Sequence, residues 1–306
     1  MMNNGGGGGG GGPDWNGLLK WSLKHNDGTS KPRTFTEEER RWFYEAMESQ
    51  VEDEGERLKQ DMLVLAQSGE GEVQGVSVER QVDILEDVED LVSQIDLAKT
   101  FVKMEGLVIL LRIARDRGKD DRLRAGALTA ASTCLQHNPE GQEDFLRRGG
   151  VEAATEIVAG GKAVGAKVRA KAVGVISAAV KHHRMGFLQF LQTGGVGVVA
   201  QAVALGEEEG EVVLLRKGLR LLEYVARQGQ GAEDLGRVPV KRLLGSGDLE
   251  VREACLGLLA VLGKGEGEWR GEVERIVREG EEELRGGEEE RRDEVELAKE
   301  VLGRMG

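Results

Sequence analysis

Several stretches of this chain carry residue types that do chemistry. Gly160 to Lys167 (Gly-Gly-Lys-Ala-Val-Gly-Ala-Lys) resembles a phosphate loop, in which backbone N–H groups cradle phosphate and a lysine follows the last glycine. Ala166 stands where that lysine must be, so the stretch reads as a turn between helices. The glycine pairs Gly69/Gly71 and Gly229/Gly231 lack the flanking strand that a dinucleotide site requires. His182 and His183 adjoin, but helical neighbours point about 100° apart and no Cys or Asp stands at ligand spacing. Cys134 and Cys255 fall on apolar stripes and read as small buried hydrophobes. Carboxylate runs such as Glu37–Glu39 and Glu288–Glu290 read as solvated faces. No catalytic residue, metal site or cofactor is expected, and the chain does not read as an enzyme.

The elements around these residues repeat. Four stretches open with Leu or Val followed by Arg: Leu123-Arg124, Val168-Arg169, Leu215-Arg216 and Val251-Arg252. Counted from the first residue of the pair, apolar side chains return at i+4, i+7, i+8, i+11 and i+12. In the first stretch these are Ala127, Ala130, Ala131, Cys134 and Leu135; in the second, Ala172, Val175, Ile176, Ala179 and Val180. This spacing lines one face of a helix of about four turns. A second marker alternates with it: Gly106-Leu-Val108, Gly150-Val151, Gly195-Val196 and a degenerate Arg237-Val238. The Gly markers lie 44 and 45 residues apart, inside the armadillo and HEAT range. The expected fold is all-α, a solenoid of armadillo-like repeats with helical caps at both ends. No single unit can bury its stripe alone, so the units must stack into an extended surface suited to another macromolecule.

Composition fits that class. Aromatics are 4% of the 306 residues, as in cores packed through Leu, Val and Ala. The net charge of −13 argues against nucleic acid, whose phosphates require clustered Lys and Arg. No apolar run approaches the ~18 residues of a membrane span, and no charged-then-apolar leader opens the chain. The organisation reads as four parts. Residues 1–34 hold a glycine tract, expected to be disordered, and a short amphipathic helix with Trp15, Leu18, Leu19, Trp21 and Leu23. Residues 35–78 hold a cap helix, opened by the Thr36/Glu39 capping box, and a Gly/Glu-rich loop at 68–77. The solenoid spans 79–263, and 264–306 form a charged cap that frays toward its end.

Particular segments resemble a known family. Leu18-Leu-Lys-Trp-Ser-Leu23 and Cys134-Leu-Gln-His-Asn-Pro-Glu-Gly-Gln142 resemble motifs of the fungal armadillo-type nucleotide exchange factors of the 70-kDa heat-shock chaperone, with a departure at His137. Val168-Arg-Ala-Lys-Ala172, Phe187-Leu-Gln-Phe-Leu191 and Arg41-Trp-Phe-Tyr-Glu-Ala-Met47 are similar to segments of the animal relatives, the heat-shock-protein-binding proteins. Leu85 to Gly106, with Ile95-Asp-Leu-Ala98 inside it, fits the first repeat, so the resemblance extends from residue 18 to about 262.

That resemblance implies a co-chaperone without chemistry of its own. The solenoid would grip one lobe of the chaperone's nucleotide-binding domain, displace the other and let ADP leave, aiding substrate release. It also implies contacts at Ala98, whose small side chain would permit close approach, and at Arg216, which matches a family position. The recurrence of arginine at 124, 169 and 252 equally supports a brace between repeats. Gln136 and Asn138 lie where the long helix of their repeat ends, Asn138 being equally suited to cap a helix. Thr133 and Lys181 complete the candidate set. The Trp15–Leu23 segment is either a folded-back cap or a substrate mimic for the chaperone's peptide groove. The alternative reading is a general armadillo scaffold for another protein or an extended peptide. Its polar ladder is missing at the positions nine after each arginine: Thr133, Ala178, Val225 and Val261. A cytoplasmic monomer is expected, binding neither nucleic acid nor membrane.

Overall fold

The computed structural model describes residues 36–38, 41, 53–67, 76–262, 269–287 and 289–305. The glycine tract, the Trp15–Leu23 segment, nearly all of the helix expected after Thr36, and residues 68–75 of the expected loop lie outside the described residues. The chain divides into two compact units, 1–52 and 53–306, and the second holds almost every described residue.

Among the described residues there are sixteen α-helices and no strand. α1 (Glu54–Gln67) and α2 (Val78–Val92) open the unit. Four triplets follow, each with two shorter helices and a long third one. They are α3 (Ile95–Lys103), α4 (Gly106–Arg115) and α5 (Asp121–Leu135); then α6 (Pro139–Arg147), α7 (Gly150–Ala159) and α8 (Ala166–Val180). The third is α9 (Arg184–Gln192), α10 (Gly195–Glu209) and α11 (Val212–Arg227); the fourth is α12 (Ala232–Leu235), α13 (Val240–Leu244) and α14 (Leu249–Leu262). α15 (Arg270–Arg285) and α16 (Arg292–Met305) close the unit. The long helices stack in one row, α2 on α5, α5 on α8, α8 on α11 and α11 on α14, with α16 against α14. The second helices form another row, α1 on α4, α4 on α7 and α7 on α10. This is the armadillo solenoid that the periodicity predicts.

The recurring glycine marker has a steric cause. In the first three triplets the second helix starts on a glycine that receives a phenylalanine from the end of the helix before it. A β-carbon at Gly106 would lie 2.4 Å from the Phe101 ring, at Gly150 2.6 Å from Phe145, and at Gly195 2.2 Å from Phe190. All three rings are buried, so the pair Phe-x4-Gly locks the corner between first and second helices. The residue just before the glycine takes a left-handed conformation, Glu105 at φ 63°, Gly149 at 67° and Gly194 at 66°. The fourth triplet lacks both Phe and Gly, and its first two helices shrink to four and five residues.

Three of the four repeat arginines are braces. Arg124 Nε donates to the Ala114 carbonyl at 3.1 Å, Arg169 Nε to Val164 at 3.1 Å, and Arg252 Nη1 to Ser246 at 2.8 Å. Each binds a carbonyl left unpaired where the chain leaves the second helix of its own triplet. Arg169 also pairs with Glu209, and Arg252 with Glu294, a fully buried carboxylate on α16. The cap is thereby tied to the last repeat, and its second helix runs to Met305.

The third repeat corrects the expected register. Its buried residues are Leu214, Leu215, Gly218, Leu219, Leu221, Leu222, Val225 and Ala226, which match Val168, Arg169, Ala172, Val173, Val175, Ile176, Ala179 and Val180. Leu215, not Arg216, therefore occupies the brace position. The position nine after it is Tyr224, half-buried, whereas Val225 is in the core.

Candidate functional site

The row of long helices presents five side-chain tiers to solvent. Aligned by burial, they are Gly126/Lys171/Lys217, Thr129/Gly174/Arg220, Ser132/Ser177/Glu223, Thr133/Ala178/Tyr224 and Gln136/Lys181/Arg227. In a stacked array of this kind the long-helix row lines the curved binding face. Small residues occupy α5, lysines α8, and long charged or aromatic residues α11. At one end of the row α2 exposes Asp83, Glu86 and Asp90.

The sequence-predicted contacts divide on this geometry. Thr133 and Lys181 lie half-buried on the face, and Gln136 is exposed beside them. Thr133 Oγ1 donates to Glu89 Oε1 at 3.4 Å, bridging α5 to α2. Gln136 and Lys181 line a groove of about 590 Å³ between the ends of α5 and α8, together with Ser132, His137, Gln142 and Ser177. Gln142 reaches across its floor to donate to the Ala178 carbonyl at 2.7 Å.

Ala98 and Asn138 are not on the surface. Ala98 is 2% exposed, and its carbonyl lies 3.9 Å from Cys134 Sγ in the interior. Its small size serves packing between α3 and α5, so the expected close approach of a partner has no surface there. Asn138 is fully buried and caps α6: Oδ1 accepts from Gly141 N at 3.1 Å while Nδ2 donates to the Cys134 carbonyl at 3.0 Å. His183 does the same work one repeat later, its Nδ1 accepting from Gly186 N at 3.1 Å. Asn138→Ala is expected to lower stability by about 1–2 kcal/mol in urea denaturation, because the cap is lost and the buried Cys134 carbonyl loses its donor. Since no exposed atom changes, its affinity for any partner of the face should match that of the unaltered chain.

Arg216 stands between these cases. Displaced by one position from the brace site, a third of its side chain is exposed. It donates through Nε to Asp248 at 3.0 Å and through Nη1 to Glu250 at 2.8 Å, clamping the start of α14. The guanidinium holds the Asp248 carboxyl below the usual range. The five N-terminal candidates, Trp15, Leu18, Leu19, Trp21 and Leu23, lie outside the described residues.

Sequence reasoning missed Lys171, Lys217, Arg220 and Tyr224. Tyr224 accepts from the His182 backbone N–H at 3.3 Å and packs edge-on against Phe187, with ring centroids 5.8 Å apart. The signal was available in the spacings Gly126–Lys171–Lys217 and Thr133–Ala178–Tyr224, once the third repeat is read in its shifted register.

Among the described residues no group of three His, Cys, Asp or Glu is placed to hold a metal ion. Burial pushes the thiols of both Cys134 and Cys255 up to about 12, which leaves them protonated and unreactive. No single described helix is long and apolar enough to cross a membrane. What the geometry provides is a continuous side-chain face along the row of long helices.

Fold and face together define an armadillo-type α-solenoid. A designed armadillo repeat protein solved in complex with the peptide (KR)4 is similar at 12% identity, covering 83% of this chain and 100% of its own, with TM-score 0.56. Computationally designed armadillo repeat proteins for modular peptide recognition are similar at 12% identity, covering 81% and 100%, with TM-score 0.58. An engineered protein from a structural genomics consortium is similar at 14% identity, covering 83% and 99%, with TM-score 0.58. At such identities the likeness establishes the fold alone. No curated protein matches the chain. The family described as "Nucleotide exchange factor Fes1" matches residues 15–101, ending within α3. The resemblance to the armadillo-type exchange factors thus holds over the N-terminal segment and the start of the first repeat.

Proposed function

We propose that this chain is a cytosolic, monomeric nucleotide exchange factor for a 70-kDa heat-shock chaperone. It binds the chaperone's nucleotide-binding domain, promotes ADP release and thereby aids substrate release and folding. The observation that carries the reading is the match of residues 15–101 to an exchange-factor family, which runs into the first repeat of an armadillo array. No chemistry is required of the protein. The long-helix face has to bind the open nucleotide-binding domain better than the closed one, because equal affinity shifts nothing. Each tenfold gain in release rate needs about 1.4 kcal/mol of differential stabilisation, which many modest contacts along a rigid face can provide.

The test is stopped-flow release of a fluorescent ADP analogue from a cytosolic chaperone of this class, with increasing amounts of the full chain. A release rate that rises and saturates is the expected result. An unchanged rate with a fully helical protein would overturn the reading and leave a general armadillo scaffold in its place.

A further inference from the structure

The middle of the array is electrically unlike the rest of the chain. Residues 157–206 contain no Asp or Glu, although the protein has 55 of them and a net charge of −13. The same block holds Lys162, Lys167, Arg169, Lys171, Lys181 and Arg184. Such a gap in an acidic chain concentrates positive potential on α8, the central helix of the row.

The structure extends that potential onto α11. Lys171 and Lys217 occupy the same tier in successive repeats, and Lys217 lies over the bare backbone of Gly174. A β-carbon at Gly174 would sit 3.0 Å from Lys217 Nζ, so the glycine makes room for the ammonium group. Lys171, Lys181 and Lys217 are all half-buried, and none of their side chains forms a hydrogen bond or ion pair with another described residue. The arginines behave otherwise: Arg124, Arg169, Arg216, Arg220 and Arg252 are each paired with a carboxylate. Burial, and then the neighbouring Arg220, lowers the Lys181 ammonium below its ordinary range; burial, and then Lys171, does the same for Lys217. Glu223 and Glu89 oppose these shifts without cancelling them. Half-buried cations held together without a direct ion-pair partner cost stability in the free protein, and such arrangements cluster at binding sites.

We propose that the α8–α11 stretch of the long-helix face is a dock for an acidic surface of a partner protein, with Lys171, Lys181 and Lys217 receiving its carboxylates. The dock is bounded by Asp83, Glu86 and Asp90 on α2 and by Glu253 on α14. A partner must therefore be acidic at the centre of the contact and not at its flanks, which fixes its register along the array. The same acidic borders disfavour a nucleic acid, whose phosphates continue in both directions. Only the identity of the partner rests on the exchange-factor reading; under it, the acidic surface belongs to the chaperone lobe that the solenoid grips.

The test uses the full chain and a fluorescein-labelled octa-glutamate peptide, read by anisotropy, with a DNA duplex of similar charge as a second probe. The peptide is expected to bind the unaltered chain at low salt, and the double variant K171E/K217E to weaken it at least about tenfold. K171Q/K217Q, which removes charge without reversing it, should give a smaller loss and guards against a folding failure of the reversed pair; circular dichroism checks both. The exposed control K241E should change nothing. Failure of the peptide to bind, equal binding by all variants, or tighter binding of DNA than of peptide would each overturn the dock. Chaperone ADP release is measured on the same proteins. Its absence in the unaltered chain sinks the exchange reading while peptide binding still judges the dock. Exchange that K171E/K217E leaves intact removes the chaperone as the dock's partner.

Discussion

Ala98→Arg is expected to collapse the first repeat, not to leave a folded protein that cannot dock. Ala98 is 2% exposed on α3, with the neighbouring helices α2, α4 and α6 packed around that helix. An arginine at this buried position must either bury its charge or prise the helices apart. Burying an unpaired charge or overpacking a filled core costs on the order of 4 kcal/mol, a large share of a domain's total stability. The check is a urea titration followed by far-UV circular dichroism, beside Lys99→Arg as a neighbouring control. A strong loss of midpoint in the first and none in the second is expected. If Ala98→Arg instead unfolded at the same urea concentration as the unaltered protein, α3 would have to expose this side chain. In that case the position would again be open to a partner. Loss of exchange activity in Ala98→Arg would therefore report on folding, whereas Lys171 and Lys217 report on the face itself.

The contrast between Ala98 and Lys171 shows what the sequence discloses and where it stops. The helices were legible because burying a stripe imposes a 3.6-residue period, and the repeat because the same solution recurs every 44 or 45 residues. Even the corner glycines announced themselves, although their reason, the facing Phe101, Phe145 and Phe190 rings, needed coordinates. The third repeat misled because Arg216 mimics the Leu/Val-Arg signature one position late, and a pattern match has no test for which residue is actually buried. Ala98 and Asn138 misled for a related reason: a motif marks a residue as special without saying whether it is special to a partner or to the fold. Asn138 turned out to spend its oxygen and nitrogen on its own backbone. The lysine tier was hidden because its members lie 46 residues apart, and proximity across neighbouring helices leaves no trace in local periodicity.

The same comparison between repeats makes a second large effect predictable. Arg169 is 1% exposed, the largest of the fully buried side chains, and it is braced by the Val164 carbonyl and the Glu209 carboxylate. Its Nη1 is buried without a partner. Removing the Glu209 carboxylate leaves the Arg169 charge buried and uncompensated, which typically costs about 3–5 kcal/mol. Arg169→Ala leaves Glu209 open to water but loses the packing of a long side chain and the bond to the Val164 carbonyl, and is expected to cost about 3 kcal/mol. Replacing the pair together is a different matter. Leu215 holds the equivalent place in α11 and is buried there without any ion pair, so this position of the repeat accepts an aliphatic side chain. The double variant R169L/E209Q removes both charges and the orphaned donor and is expected to lie within about 1.5 kcal/mol of the unaltered protein. A double-mutant cycle of R169L, E209Q and the pair, read by urea denaturation, measures the coupling directly. Recovery in the double variant would mean that Glu209 chiefly satisfies the buried charge of Arg169 and that the third repeat has already dispensed with the pair. A double variant as unstable as Arg169→Ala would mean instead that the guanidinium's bond to Val164 carries the corner, which α11 replaces by a different path from its second helix.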